Sequence, residues 1–394
     1  MKRCLIIYPF FANYRLPILK SLTNSRSGWE YELLGDKNPI DGIKGIDPKL
    51  ADISTKAGGL CWKFTRLYYP FTARIPFTWQ SGVISRLLKK DYDAVIFLGS
   101  IYHLSYIVAI PILKVFKIPI IFWTHGFLGK DSRPIFLLRH FLYSQADAIM
   151  LFGNRAKKYF KFGNFYKKCL ISVIYNSLDY SGSDAFNYTE EQISELKNNL
   201  FANELPVVIA VGRLTPVKRI DKLIKALHES IITHNKYFNV LILGTGESLG
   251  QLRELVNKHK LNRFVNFLGA VYGDEVYKYL KIADVSVIPG NVGLSAMHAL
   301  SAGVPVISHD NFDAQMPEHE AIIEGITGSF YKENSIENLV EKIHAWIFNK
   351  DSRLEAKKNC LKIIKENYSV ENQLKLIEMT LEELYCEIKN QKST

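Results

Sequence analysis

At 394 residues, with 47% hydrophobic and 23% charged side chains, the chain has an ordinary globular composition but exceeds one typical core, so two domains of roughly 180 residues each are expected. Its net charge of +11 is uneven: residues 1 to 180 carry 26 Lys+Arg against 11 Asp+Glu, while the remainder is slightly acidic. That imbalance points the N-terminal half at an anionic partner such as a membrane leaflet or phosphate-bearing lipid, and no nucleic-acid-binding module accompanies it. The five cysteines (Cys4, Cys61, Cys169, Cys360 and Cys386) are scattered, odd in number and without CxxC spacing, which suits reduced thiols in a cytoplasmic protein rather than a disulfide framework or a zinc site.

The first apolar run, Arg3 to Tyr8, is too short for a signal peptide and passes straight into Asn13, Tyr14 and Arg15, so it reads as a buried strand. Residues 61 to 90 interleave aromatic and basic side chains, which fits either a lipid headgroup region or a helix with core aromatics and a solvated basic face. Asp91-Tyr-Asp93 has the look of a metal-binding pair, yet it precedes the strand Ala94 to Leu98 and lies at the wrong sheet edge, so no metal is expected. Leu104 to Trp123, broken by Lys114, Lys117 and two prolines, reads as a helix to about Phe116 followed by a strand rather than as a membrane span. Further strands are expected at Ala148 to Phe152 and Ser172 to Tyr175, making a doubly wound parallel sheet. Residues 181 to 204 suit a linker.

A second series begins at Pro206. Strands are expected at Val207 to Val211, Asn239 to Leu243, Val265 to Leu268, Val285 to Ile288 and Val304 to Ile307. Helical periodicity separates them at Arg219 to Ile232, Ser248 to His259 and Glu275 to Ile282, and the chain reads as helical after Asn334. The domains expected are therefore 1 to 180 and 205 to 365, with a final helix over 366 to 394.

The densest chemistry lies in Val211-Gly-Arg-Leu-Thr-Pro-Val-Lys-Arg-Ile-Asp, a strand end, a tight turn and a helix opening. Arg213 and Lys218 beside free helix amides make a pyrophosphate site, unless they are surface residues of a solvated basic helix. Other landmarks follow in order: Leu243-Gly-Thr-Gly-Glu, Phe267-Leu-Gly-Ala-Val, Ile282-Ala-Asp-Val-Ser-Val-Ile-Pro-Gly, Gly293-Leu-Ser-Ala-Met-His through Gly303-Val-Pro-Val-Ile, and Glu320-Ala-Ile-Ile-Glu-Gly. Together they resemble the retaining glycosyltransferases of family 4, strongly over about 205 to 330 and only in outline before that. The resemblance implies an α/β architecture of the GT-B kind, two Rossmann-like doubly wound domains facing a cleft, with C-terminal helices crossing back to the first domain.

Roles follow from the resemblance position by position. Arg213 and Lys218 neutralise the donor's diphosphate, with Gly212, Gly244 and Gly246 giving close backbone approach. Val271 and Tyr272 lie along the nucleobase, and the amides of Gly293, Leu294 and Ser295 open a helix against the phosphates. The family's two glutamates, eight positions apart, fall here on Gly290 and His298. His298 can still bond a ribose, whereas Gly290 cannot replace a carboxylate, so Asn291, Glu318 or Glu320 is expected at the sugar. Glu318 and Glu320 equally suit a capped polar loop. In the first half, Trp123-Thr-His-Gly-Phe resembles the family's His-Gly turn, with His125 donating to the donor sugar, and Asn13, Tyr14 and Arg15 border phosphates or acceptor.

The function implied is a hexosyltransferase-type enzyme moving sugar from a nucleotide-diphosphate donor to a glycan or lipid-linked acceptor in surface-polysaccharide (lipopolysaccharide or capsule) synthesis. Retention, no cofactor, no metal and no nucleic acid go with it, as does a cytoplasmic, peripheral place on the anionic inner face of the membrane. A nucleotide-sugar 2-epimerase, a non-catalytic sugar-nucleotide-binding subunit and a nicotinamide oxidoreductase are the rivals.

Overall fold

The computed structural model describes residues 1–40, 43–71, 77–127, 131–161, 166–180 and 188–393. Two compact units emerge: Met1–Asp179 with Ser369–Thr394, and Tyr180–Tyr368. Residues 181–187 of the expected linker and 72–76 of the aromatic-basic segment lie outside the described residues.

The first unit runs β1 (Lys2–Phe10), α1 (Leu16–Thr23), β2 (Trp29–Asp36), β3 (Trp62–Thr65), β4 (Leu67–Tyr68), β5 (Trp79–Gln80), α2 (Val83–Leu87), β6 (Ala94–Leu98), α3 (Leu104–Phe116), β7 (Ile120–Thr124), α4 (Arg133–Tyr143), β8 (Ala148–Leu151) and β9 (Leu170–Val173). Seven strands form one parallel sheet in the order β3-β2-β1-β6-β7-β8-β9. Their apolar runs are continuous because both faces are covered. Leu5, Ile7, Val95, Phe97, Ile120 and Phe122 face the layer of α2, α3 and α4. Cys4, Ile6, Ala94, Ile96 and Ile121 face α1 and the chain's last helix.

Strand β2 was not legible as a strand, because Glu30 and Glu32 interrupt its apolar pattern. Glu32 is buried, yet it accepts from Arg86 Nε at 2.6 Å and from the Tyr92 hydroxyl at 2.8 Å. The 61 to 90 segment is not one helix: it forms the edge strand β3, the antiparallel pair β4 and β5, and short α2. Gln80 fixes this piece, donating to Tyr8 O and Thr65 Oγ1 and accepting from the Tyr106 hydroxyl.

The second unit runs α5 (Glu190–Phe201), β10 (Val207–Val211), α6 (Ile220–His234), β11 (Asn239–Leu243), α7 (Leu249–Lys258), β12 (Val265–Gly269), α8 (Glu275–Leu280), β13 (Val285–Val287), α9 (Leu294–Ser301), β14 (Val306–His309), β15 (Gly328–Tyr331), α10 (Ile336–Ile347) and α11 (Lys350–Asn367). Its six strands are parallel in the order β12-β11-β10-β13-β14-β15. Strand order therefore reverses between β10 and β13, the crevice where open α/β sheets take ligands.

The last helix, α12 (Val370–Ser393), belongs to the first unit. Ile377, Leu381 and Leu384 enter that unit's core, Glu382 bonds Trp29 Nε1 at 2.6 Å, and Gln373 is tied to Ser177 Oγ and Tyr175 O. Among the described residues no helix is long and apolar enough to cross a membrane.

Candidate active site

The loops after β10 and β13 flank the switch point of the second sheet. After β10 the chain turns through Gly212 and Arg213 into a 3-10 turn, Pro216–Lys218, and α6 starts only beyond Arg219, whose φ of 52° is left-handed. Arg219 is held by Glu333 at 2.9 Å and by Asn334, so its charge is spent inside the unit. Lys218 reaches toward the mouth of α9 instead. Its Nζ donates to Asn291 O at 2.6 Å and stands near Gly293, the residue that precedes α9. The helix mouth beside Lys218 is thus that of α9, whereas the sequence pattern drew attention to α6.

Burial holds the Lys218 ammonium below the ordinary lysine value of 10.5, and the Glu318 carboxylate opposes that shift. No side chain caps α9. A partly desolvated cation beside an uncapped helix N-terminus attracts an anion, and the Glu318 carboxylate offsets part of that field.

Gly290 has a definite structural reason. A Cβ there would meet Val217 O at 2.0 Å and Lys218 Cα at 2.9 Å, and Asn291 N donates to Val217 O at 3.2 Å. The turn that carries Lys218 lies directly on this glycine, so no side chain fits where the resemblance implies a glutamate.

Gly244 and Gly246 serve a similar end. Their φ values are 152° and 157°, and a Cβ on either would strike Gly212 O or Leu214 O at 1.9 and 2.3 Å. The close approach they permit is between the turns after β10 and β11, sealed by Leu214 N to Thr245 O at 2.9 Å. Arg213 and Tyr272 are exposed, and Val271 is half-buried.

The polar loop after β14 is stitched into the same region by a residue that sequence reasoning passed over. Buried Gln315 donates to Ser308 Oγ at 2.9 Å and His309 O at 3.1 Å, and accepts from Val292 N at 2.7 Å. Its only signal was membership of a dense polar run. Beyond it, Glu318 is buried and Glu320 half-buried on the 3-10 turn Pro317–Ala321. His298, on α9, shares its Nδ1 with the Tyr277 hydroxyl at 3.2 Å, and burial lowers its pKa. Lys218, Asn291, Gly293 and Glu318 therefore form one group, with His298 a turn along α9.

In the first unit, Arg15 turns inward while Asn13 is exposed and Tyr14 half-buried. The Arg15 guanidinium lies 5.0 Å from the ring centres of both Tyr8 and Trp123 and 5.2 Å from that of Phe152. His125 sits against Phe152, with centroids 4.6 Å apart, and its buried Nδ1 has no hydrogen-bond partner among the described residues. Burial, then the charges of Arg15 and Arg139, push its pKa down to about 4, so the imidazole is neutral at pH 7. Thr124 anchors the turn, bonding the Tyr143 hydroxyl at 2.7 Å and Gly126 N at 3.1 Å. Asp93 of the decoy pair accepts from Arg3 N at 2.8 Å, and among the described residues no three His, Cys, Asp or Glu are grouped to hold a metal.

Residues 191–363 match the family described as Glycosyl transferases group 1. Among curated proteins, an uncharacterized glycosyltransferase of Methanocaldococcus jannaschii, MJ1607, is 34% identical over 140 residues, 35% of each chain. The alpha-monoglucosyldiacylglycerol synthase of Acholeplasma laidlawii is 33% identical over 164 residues, 40% of this chain. These matches span only 35% and 39% of the relatives' own lengths. Among solved structures, Anabaena Alr3699/HepE in complex with UDP superposes with a TM-score of 0.73 at 16% identity, covering 97% of this chain and 100% of that one. The chain accordingly has the α/β GT-B fold, two Rossmann-like halves with parallel sheets, and its residues 191–363 are similar to the glycosyl transferases group 1 family.

Proposed function

We propose that this protein is a glycosyltransferase of hexosyltransferase type that binds a nucleotide-diphosphate sugar through its second unit and delivers the sugar to a lipid-linked glycan or glycolipid. The observation that carries the reading is the desolvated ammonium of Lys218 at the uncapped mouth of α9, across the strand-order switch. UDP in the Anabaena relative supports the donor class, and the diacylglycerol-based product named for the Acholeplasma relative supports a lipid-borne acceptor.

In the proposed chemistry the bond from the anomeric carbon to the diphosphate breaks, the acceptor hydroxyl oxygen bonds that carbon and passes its proton to the leaving phosphate, and negative charge grows on that phosphate as it departs. Lys218, Arg213 and the first amides of α9 stabilise that charge, in place of a metal. Asn291, Glu318 and Glu320 hold sugar hydroxyls, His298 the ribose, and Val271 and Tyr272 the base. Neutral His125 hydrogen-bonds substrate without competing for a proton, and Arg15 binds phosphate on the acceptor side. Retention, synthesis of surface polysaccharide and work at the anionic inner face of the membrane complete the reading.

The test is Lys218→Ala assayed with UDP-sugars, GDP-sugars and TDP-sugars against lipid-linked acceptors. Loss of a charge-stabilising group should slow transfer on the order of 100-fold or more, and a rate within roughly threefold of the parent refutes the role. The packed backbone at Gly290 favours a second reading, sugar-nucleotide binding without turnover. Nucleotide-dependent stabilisation with no transfer to any acceptor would decide for it.

A further inference from the structure

The two helical layers of the first unit have opposite electrostatic characters. Over one face of the sheet lie α3, α4 and the 3-10 helix Arg155–Lys161, joined through Phe127, whose ring is 5.1 Å from Phe136 and 5.2 Å from Phe160. These three segments contain seven Lys or Arg and no Asp or Glu. Over the other face lie α1 and α12, with four Lys and five Glu. Much of the unit's basic excess is therefore concentrated on one side.

That same side exposes apolar side chains which its own core leaves outside. On α4, Leu137 is 58% and Phe141 61% exposed, one helical turn apart, with Phe136 beside them; on α3, Val115 is 76% exposed. Lys114, Arg133, Lys158 and Lys161 are exposed on the same three segments. Solvated cations interleaved with outward Leu, Phe and Val suit a bilayer surface. Each apolar tip inserts separately between lipids while the cations meet phosphate. The aromatic-basic segment around Phe64 and Tyr69 also exposes rings, but its described residues 61–71 expose two cations, Lys63 and Arg66, against the four on the three segments above.

We infer that the layer formed by α3, α4 and residues 155–161 docks the protein on an anionic phospholipid bilayer. The inference locates the membrane face that the proposed function requires, and its readout uses neither donor nor acceptor.

The test is sedimentation of the full chain with vesicles of phosphatidylcholine alone or mixed with phosphatidylglycerol. The parent should bind the mixed vesicles and release them in high salt. Leu137→Ser with Phe141→Ser, and separately Lys158→Glu with Lys161→Glu, should each weaken binding at least about tenfold. Phe64→Ser with Tyr69→Ser should leave it within about twofold. Unchanged binding by the α4 pair, or loss confined to the Phe64 and Tyr69 pair, overturns the inference. So does a parent that ignores the vesicles but is retained on polyglutamate, which would mark an acidic protein as the partner. Thermal stabilisation by UDP or GDP, measured on the same variants, separates this failure from failure of the glycosyltransferase reading, because all of these positions belong to the first unit and the Lys218 group to the second.

Discussion

Replacing Gly290 gives the sharpest check on how the donor region is built. The glutamate that the resemblance implies at this position suggests that Gly290→Glu would restore something lost, but the geometry says the reverse. Even the methyl of Gly290→Ala must enter space occupied by Val217 O at 2.0 Å and by Lys218 Cα and C at 2.9 and 2.7 Å. These are backbone atoms, so no rotamer change relieves the contact; the Pro216–Lys218 turn must shift. Overfilling a tight site costs about 1–3 kcal/mol, and for a unit of this size each kcal/mol moves the melting temperature by about 2–4 °C. Gly290→Ala should therefore melt roughly 2 to 12 °C lower, and Gly290→Glu lower still.

Because the shifted turn carries Lys218, nucleotide binding must suffer as well. A ligand at a hundred times its dissociation constant stabilises the native state by about 2.7 kcal/mol, and a tenfold weakening removes about 1.4 kcal/mol of that. The nucleotide-induced rise should thus shrink by about 3 to 6 °C in the alanine variant, measured by differential scanning fluorimetry with UDP and with GDP. A Gly290→Ala protein that melts within about 1 °C of the parent, with an undiminished nucleotide response, would refute the close-packed turn.

Nucleotide affinity should also depend on alkaline pH. Lys218 must be protonated to attract a diphosphate, and its pKa in the unliganded protein lies below 10.5, so affinity falls as pH rises through that lowered value, sooner than for an ordinary lysine. Lys218→Arg, which keeps its charge, should abolish the alkaline fall in titration calorimetry, and an identical pH profile for parent and variant would contradict the assignment. Gln315→Ala should cost about 1–3 kcal/mol, because three buried partners lose their bond at once, and chemical denaturation reads this directly. Gln315→Glu, which keeps the acceptor for Val292 N but loses the donor to His309 O, should also be destabilised; parental stability in either variant would sink the loop-stitching role.

The central strands could be read from the chain because parallel strands covered on both faces are unbroken apolar runs, as at Ile6-Ile7, Val95-Ile96-Phe97 and Val207-Val208-Ile209. Strand β2 escaped that logic, since its buried Glu32 depends on Arg86 and Tyr92, more than fifty positions away. The diphosphate-binding candidates stood out through local charge and helix-opening patterns. The meaning of Gly290 did not, because a missing side chain shows its reason only when the backbone of residues 217 and 218 is laid against it. Gln315 was hidden for the same cause: its partners belong to two separate segments, the end of β14 and the loop after β13. Arg15 was visible as a residue, but its enclosure by Tyr8, Trp123 and Phe152 gathers the ends of three strands.

The return of α12 to the first unit makes the second unit an insertion within the first. On a ribosome the inserted half emerges as one uninterrupted stretch and can close around its own sheet at once. The half begun earlier must wait: α1 covers only part of the sheet side that carries Cys4, Ile6, Trp29 and Trp123, and the rest stays open until Ile377, Leu381 and Leu384 leave the exit tunnel. The portion translated first is thereby finished last, and during that interval its uncovered apolar sheet face is the part of the nascent chain most in need of a chaperone.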